Sequence, residues 1–106
     1  MFLPSKPRRI YSNYASKSVR IHWSDKALAQ LADITEGIRS YSEAAAERTE
    51  NDLLAAASRL GEFPQLGRIV PESKLAIVRE LFVGKYRLVY TLSDFQVEIV
   101  AVLHQA

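Results

Sequence analysis

The sequence predicts an α+β domain of two layers: an N-terminal strand, a helical hairpin, then a three-stranded antiparallel meander with the helices packed on one face. Two stretches with helical spacing lie between the first strand and the rest. Three later runs alternate with period two, and a single register places their apolar positions on one side. A Gly84-Lys85 pair at the centre of those runs supplies the turn.

Residues 1–17 carry prolines, scattered Ser and Tyr and no periodicity, which predicts a basic, flexible N-terminal arm before a domain spanning 18–106. Val19, Ile21 and Trp23 alternate with Arg20 and His22, as in a half-buried strand. Ser24 is placed to cap a helix opened by Asp25, with Ala27, Leu28, Leu31, Ile34 and Ile38 forming its apolar stripe. Ser42 and Glu43 start a second helix, whose stripe runs through Ala44, Ala45, Ala46, Leu53, Leu54, Ala57 and Leu60 to a stop at Gly61. The short Ser40–Ser42 connection makes the pair antiparallel. Phe63-Pro64 and Leu66-Gly67 then turn the chain towards the sheet.

With Gly84 at positive φ, Val83 faces Tyr86, Leu81 faces Leu88, Arg79 faces Tyr90 and Ile77 faces Leu92. A second turn near Ser93-Asp94 brings Phe95, Val97, Ile99, Ala101 and Leu103 to the same side. The opposite side then carries Val78, Glu80, Phe82, Arg87, Val89, Thr91, Gln96, Glu98, Val100, Val102 and His104.

Composition narrows the function. The chain has 106 residues, a formal net charge of +2 and no cysteine, so it forms neither disulfides nor thiolate metal sites, and its two histidines make a zinc site improbable. No apolar run is long enough to span a bilayer, and the N-terminus lacks a signal-peptide h-region, so a cytoplasmic protein with no membrane contact is expected. No cofactor is expected, since there is no phosphate-binding Gly loop, nucleophile triad or carboxylate cluster. Lys6, Arg8, Arg9, Lys17 and Arg20 all precede the first acid, Asp25, which permits contact with nucleic acid or an acidic partner.

The candidate site residues are Arg68, Arg79, Arg87, Phe82 and His104. The open face, half apolar, reads as a partner surface. There Glu80 and Glu98 lie diagonally to Arg87 and neutralise the charge that an RNA phosphate would need, as exposed cross-strand ion pairs. Arg79 lies on the apolar side, its stem on Tyr90 and its head at the sheet margin or a helix-end carbonyl. Arg68 in the corner loop is placed either to bind an acidic partner or to pin backbone carbonyls. His104 is either a strand-terminal hydrogen-bonding residue or a general base.

The order of Val19–Trp23, the Ala27 helix, Leu60 and Pro64, Gly67-Arg68, Pro71-Glu72, Arg79-Glu80-Leu81, Tyr86-Arg87-Leu88-Val89-Tyr90 and Val102-Leu103-His104 resembles the RelE/ParE superfamily, the toxins of type II toxin-antitoxin or plasmid stabilisation systems. The resemblance implies growth arrest and a cognate antitoxin that holds the toxin inactive in a hetero-oligomer. ParE-like members poison DNA gyrase, whereas RelE-like members cut mRNA on the ribosome without a metal, using basic residues and a C-terminal tyrosine or histidine. The Arg79 and Tyr86–Tyr90 spacing with the His104 ending looks more like the ParE side. For an endonuclease the candidates are Arg87, His104 and Arg79. Aligned without gaps on Tyr86–Tyr90, the RelE-like strand-end position falls on Gln105 and the terminal aromatic on Ala106. His104 is then one residue off, on the opposite face, an offset that a bulge would correct.

Overall fold

The computed structural model describes residues 19–70 and 78–105. The basic arm, Ser18, Pro71-Glu72, Ile77 and Ala106 lie outside the described residues. Strand β1 (Arg20–Trp23) is followed by helices α1 (Asp25–Arg39) and α2 (Glu43–Glu62), then by strands β2 (Arg68–Ile69), β3 (Val78–Val83), β4 (Tyr86–Leu92) and β5 (Gln96–His104). They form one sheet in the order β1-β5-β4-β3-β2, in which β1 runs parallel to β5 and the other pairs are antiparallel.

Both helices begin where their serine caps predict. Ser24 Oγ accepts from the Ala27 N–H at 3.0 Å and Ser42 Oγ from the Ala45 N–H at 3.1 Å, each satisfying an amide that the first turn leaves unpaired. The hairpin buries Ala27, Leu31, Leu53, Ala57 and Leu60 against Leu88, Tyr90, Val97 and Ile99, and Ile38 and Ala46 are buried as well. Thr35 is buried in the first helix, whereas Leu28 and Leu54 are exposed. Gly61 does not stop α2, which continues to Glu62. Its carbonyl accepts from the Val19 N–H at 2.9 Å, which ties the entry to β1 to the end of the helix.

The β3–β4 register is as expected, with Val83 opposite Tyr86, Leu81 opposite Leu88 and Arg79 opposite Tyr90, and Gly84 has φ 58°. The β4–β5 register holds only in its first half. Leu92, Thr91 and Tyr90 pair with Val97, Glu98 and Ile99, but Val89 pairs with Ala101, leaving Val100 as the extra residue of a β-bulge. Every later side chain of β5 therefore changes face. Val102 joins the core opposite Leu88, and His104 pairs with Tyr86 on the helix side. Ala101 and Leu103 move to the open face beside Val89 and Arg87. Phe95 precedes the strand and is 79% exposed.

The bulge is tied down. The Ser24 hydroxyl donates to the Val100 carbonyl at 3.4 Å, and the Ser24 N–H donates to Ile99 at 3.0 Å. Beyond Trp23, where β1 ends, Gln30 of α1 accepts from the Val102 N–H at 2.9 Å, so the helix occupies the strand edge that β1 leaves open.

Candidate functional site

Strand pairing aligns the open face in three rows. Arg68, Glu80, Val89 and Ala101 form the middle one; Phe82, Arg87 and Leu103 lie towards the Gly84 turn; Val78, Thr91, Glu98 and His22 lie on the other side. The sheet thus brings Arg68, Arg87 and Phe82 together from separate strands.

Glu80 is the centre of this group. It is 1% exposed and holds both guanidiniums: Arg68 Nε and Nη2 donate to Oε2 at 2.7 Å, and Arg87 Nη1 donates to Oε1 at 2.7 Å. Burial pushes its carboxyl up, but the hydrogen bonds and charges of Arg87 and Arg68 outweigh this and hold it below the ordinary carboxylate value. The expected exposed pair is therefore a buried triad. Glu98 takes no part in it and lies 3.5 Å from His22 instead. The Arg68 guanidinium also sits over the Phe82 ring, 5.3 Å from its centroid, while Arg87 Nε is buried without a hydrogen-bond partner.

Arg79 and Arg68 divide the roles that the sequence leaves open. Arg79 pins the corner loop, donating from Nη1 to the Gly67 carbonyl at 2.7 Å and to Gln65 at 3.4 Å. Arg68 joins the triad. The corner is closed a second time by Tyr90, whose buried hydroxyl accepts from the Gly67 N–H at 2.9 Å and donates to the Pro64 carbonyl at 2.7 Å. Burial raises the phenol's pKa, partly offset by the Gly67 N–H and the Arg79 charge. A Cβ on residue 67 would lie 2.5 Å from the Glu80 carbonyl oxygen and 2.8 Å from the Tyr90 ring, so the loop approaches the sheet closely enough to require glycine. Tyr90→Phe leaves the two Tyr90-bonded backbone groups unpaired and should cost about 1–3 kcal/mol. Urea unfolding measures this, and a loss near zero would show that water replaces the hydroxyl.

His104 belongs to neither group. It stacks on Tyr86 with ring centroids 4.8 Å apart, in a cleft with Asp33, Ile34, Gly37, Ile38 and Tyr41 on the helix side. Sequence reasoning missed the Tyr90 clasp and the burial of Glu80. The only signal for the latter was parity, which placed Glu80 and Arg87 on one face. Among the described residues no group of His, Asp and Glu could hold a metal ion, and no helix is long and apolar enough to cross a membrane.

Comparison with known proteins assigns this architecture to a class. The chain is similar to two solved toxin-antitoxin structures. One is a chromosomal ParDE system from P. aeruginosa, at 18% identity and TM-score 0.69 over 82% of this chain and 96% of that one. The other is the RelBE2 toxin-antitoxin complex from Mycobacterium tuberculosis, at 21% identity and TM-score 0.62 over 86% and 95%. These likenesses show the fold. Toxin RelE2 of Caulobacter vibrioides is 36% identical over 88 residues, which are 82% of this chain and 96% of that protein. Residues 21–106 match the family described as ParE toxin of type II toxin-antitoxin system, parDE, and the chain belongs to that family of type II toxins.

Proposed function

We propose that this toxin is neutralised by a cognate antitoxin and arrests growth by binding DNA gyrase, not by cutting mRNA. What supports the reading is the separation of the candidate residues. Metal-independent RNA cleavage needs a proton acceptor and phosphate-gripping cations converging on one bond. Here His104 is on the helix side of the sheet, Arg68 and Arg87 are on the other side bound to Glu80, and Arg79 is spent on loop carbonyls. Protein binding requires no such convergence.

One observation favours the endonuclease alternative. The bulge at Val100 turns His104 to the face on which the ungapped strand-end position lies, removing the offset that argued against it. A substitution separates the two readings. His104→Ala should leave growth arrest and inhibition of gyrase supercoiling nearly intact, because loss of a true acid-base group costs about 10²- to 10⁴-fold in rate. Abolished toxicity in a folded His104→Ala protein, together with loss of ribosome-dependent mRNA cleavage, would establish the nuclease instead.

A further inference from the structure

We propose that the groove between the end of α2 and the β4–β5 turn is the docking site of this chain's own basic N-terminal arm, with Ile10, Tyr11 and Tyr14 on its apolar floor. The proposal is independent of what the toxin acts on.

The groove lies where the arm joins the domain. Val19 lines it together with Phe63, Leu66 and Leu92, and its volume of about 940 Å³ takes several side chains. Two hydrogen bonds fix the chain there. The Val19 N–H donates to the Gly61 carbonyl near the end of α2 at 2.9 Å, and the Arg20 N–H donates to the Phe95 carbonyl at 3.3 Å. The residues preceding Val19 therefore start from the groove wall. Phe63 is 56% exposed, and Leu66 and Phe95, the neighbour of Asp94 in the groove lining, are exposed as well, a concentration of apolar surface that calls for a cover.

The arm matches the groove in composition, charge and reach. Residues 1–18 include Phe2, Leu3, Ile10, Tyr11 and Tyr14, more apolar bulk than a solvated tail carries, and four basic residues with no acid. The groove carries the carboxylates of Glu62 and Asp94, neither of them in an ion pair among the described residues, and Lys17 is only two positions before Val19. Arg59 in the same lining presents a guanidinium suited to the face of a tyrosine ring. Tyr14 and Ile10 stand five and nine positions before Val19, so at about 3.3–3.6 Å per residue they reach as far as roughly 18 Å and 32 Å from it. Because the arm is tethered at the wall, its effective concentration is of order millimolar, which favours it over a free peptide of like composition. The lining also includes Pro64 and Gln65, whose carbonyls accept from Tyr90 and Arg79, so the docked arm braces the corner that leads into Arg68.

The test uses the full chain, which has no cysteine of its own, carrying Ser12→Cys with a nitroxide label and isotope labels for NMR. The nitroxide should broaden the amide resonances of Phe63, Leu66, Leu92 and Asp94 and spare those of Arg87 and Tyr41. Tyr11→Ser combined with Tyr14→Ser should abolish this pattern, and Glu62→Gln combined with Asp94→Asn should weaken it, as should added salt. Trypsin gives a second readout on the chain without the label: it should cut after Lys17 at least about tenfold faster in the tyrosine variant than in the unaltered protein, because cleavage follows the fraction of time the arm is undocked. Should the tyrosine variant fail to fold, the carboxylate variant supplies the same comparison. Broadening spread evenly over the domain, centred on Arg87 or on the Tyr86–His104 cleft, or unchanged by both pairs of substitutions overturns the proposal. So does broadening in a mixture of nitroxide-labelled protein without isotopes and isotope-labelled protein without nitroxide, since the groove would then hold the arm of a second copy.

Discussion

Glu80→Gln should destabilise the protein at neutral pH by about 3 kcal/mol, the lower end of the range of about 3–5 kcal/mol for breaking a buried ion pair from one side. The substitution keeps the shape and removes the charge that Arg68 and Arg87 share, so two guanidiniums face each other across an amide. The lower end applies because Arg68 is well exposed and water relieves part of its loss. For a domain of this size the melting temperature should fall by roughly 12–24 °C. The pH dependence has a definite sign. Glu80 is held below its ordinary value in the folded protein, so the unfolded chain takes up the proton first. The stabilisation is therefore complete above the unfolded carboxylate range, near about pH 4.3, and disappears as pH falls through the lower folded value. The gap between wild type and Glu80→Gln should close over that interval. Glu98→Gln, which loses only a partly exposed contact with His22, should change stability by less than about 1 kcal/mol. Equal effects at positions 80 and 98 would mean that the triad is solvated in solution.

Leu88→Ala should be comparably damaging, at about 2–5 kcal/mol. Leu88 is fully buried, between Leu81 and Val102 on the neighbouring strands, under the helical hairpin. Neighbours on two strands and a helix layer cannot all collapse into the space, so most of the cavity should persist. Thr91, three residues along β4 and on the open face, provides the contrast. Thr91→Ala should cost less than about 1 kcal/mol, and equal losses in chemical denaturation would mean that the two faces are assigned the wrong way round.

The parts of the fold legible in the sequence are those set by neighbours along the chain. A glycine at the hairpin tip determines β3–β4 pairing residue by residue, and serine hydroxyls mark both helix starts. The bulge had no such marker. From Val97 to Leu103 apolar residues occupy both parities, so alternation continues to look satisfactory while the true register slips at Val100. For that one reason Ala101, Val102, Leu103 and His104 all lie on the face opposite to the one that alternation predicts. The parallel placement of β1 beside β5 is non-local, and no spacing encodes it. At the candidate site, parity correctly placed Glu80, Phe82 and Arg87 on one face. Burial of Glu80 is illegible in the sequence because the covering groups are arginine side chains, one of them arriving from strand β2 twelve residues earlier. Arg68 and Arg79 both flank the corner, and only the three-dimensional path of residues 64–68 decides which guanidinium meets carbonyls and which meets the acid.

The position of β5 bears on how the chain is made. It is the last strand to leave the ribosome, and it joins β1 to the rest of the sheet, with Ser24 and Val100 in contact across 76 residues of sequence. Among the described strands only residues 96–104 pair with β1, and until they dock the apolar faces of α1 and α2 lack Val97, Ile99 and Val102. Contacts of such high sequence separation slow folding and postpone it until β5 has docked. The three rows of the open face are therefore completed late, by the strand that also closes the core, and the segment before β5 cannot assemble either face by itself.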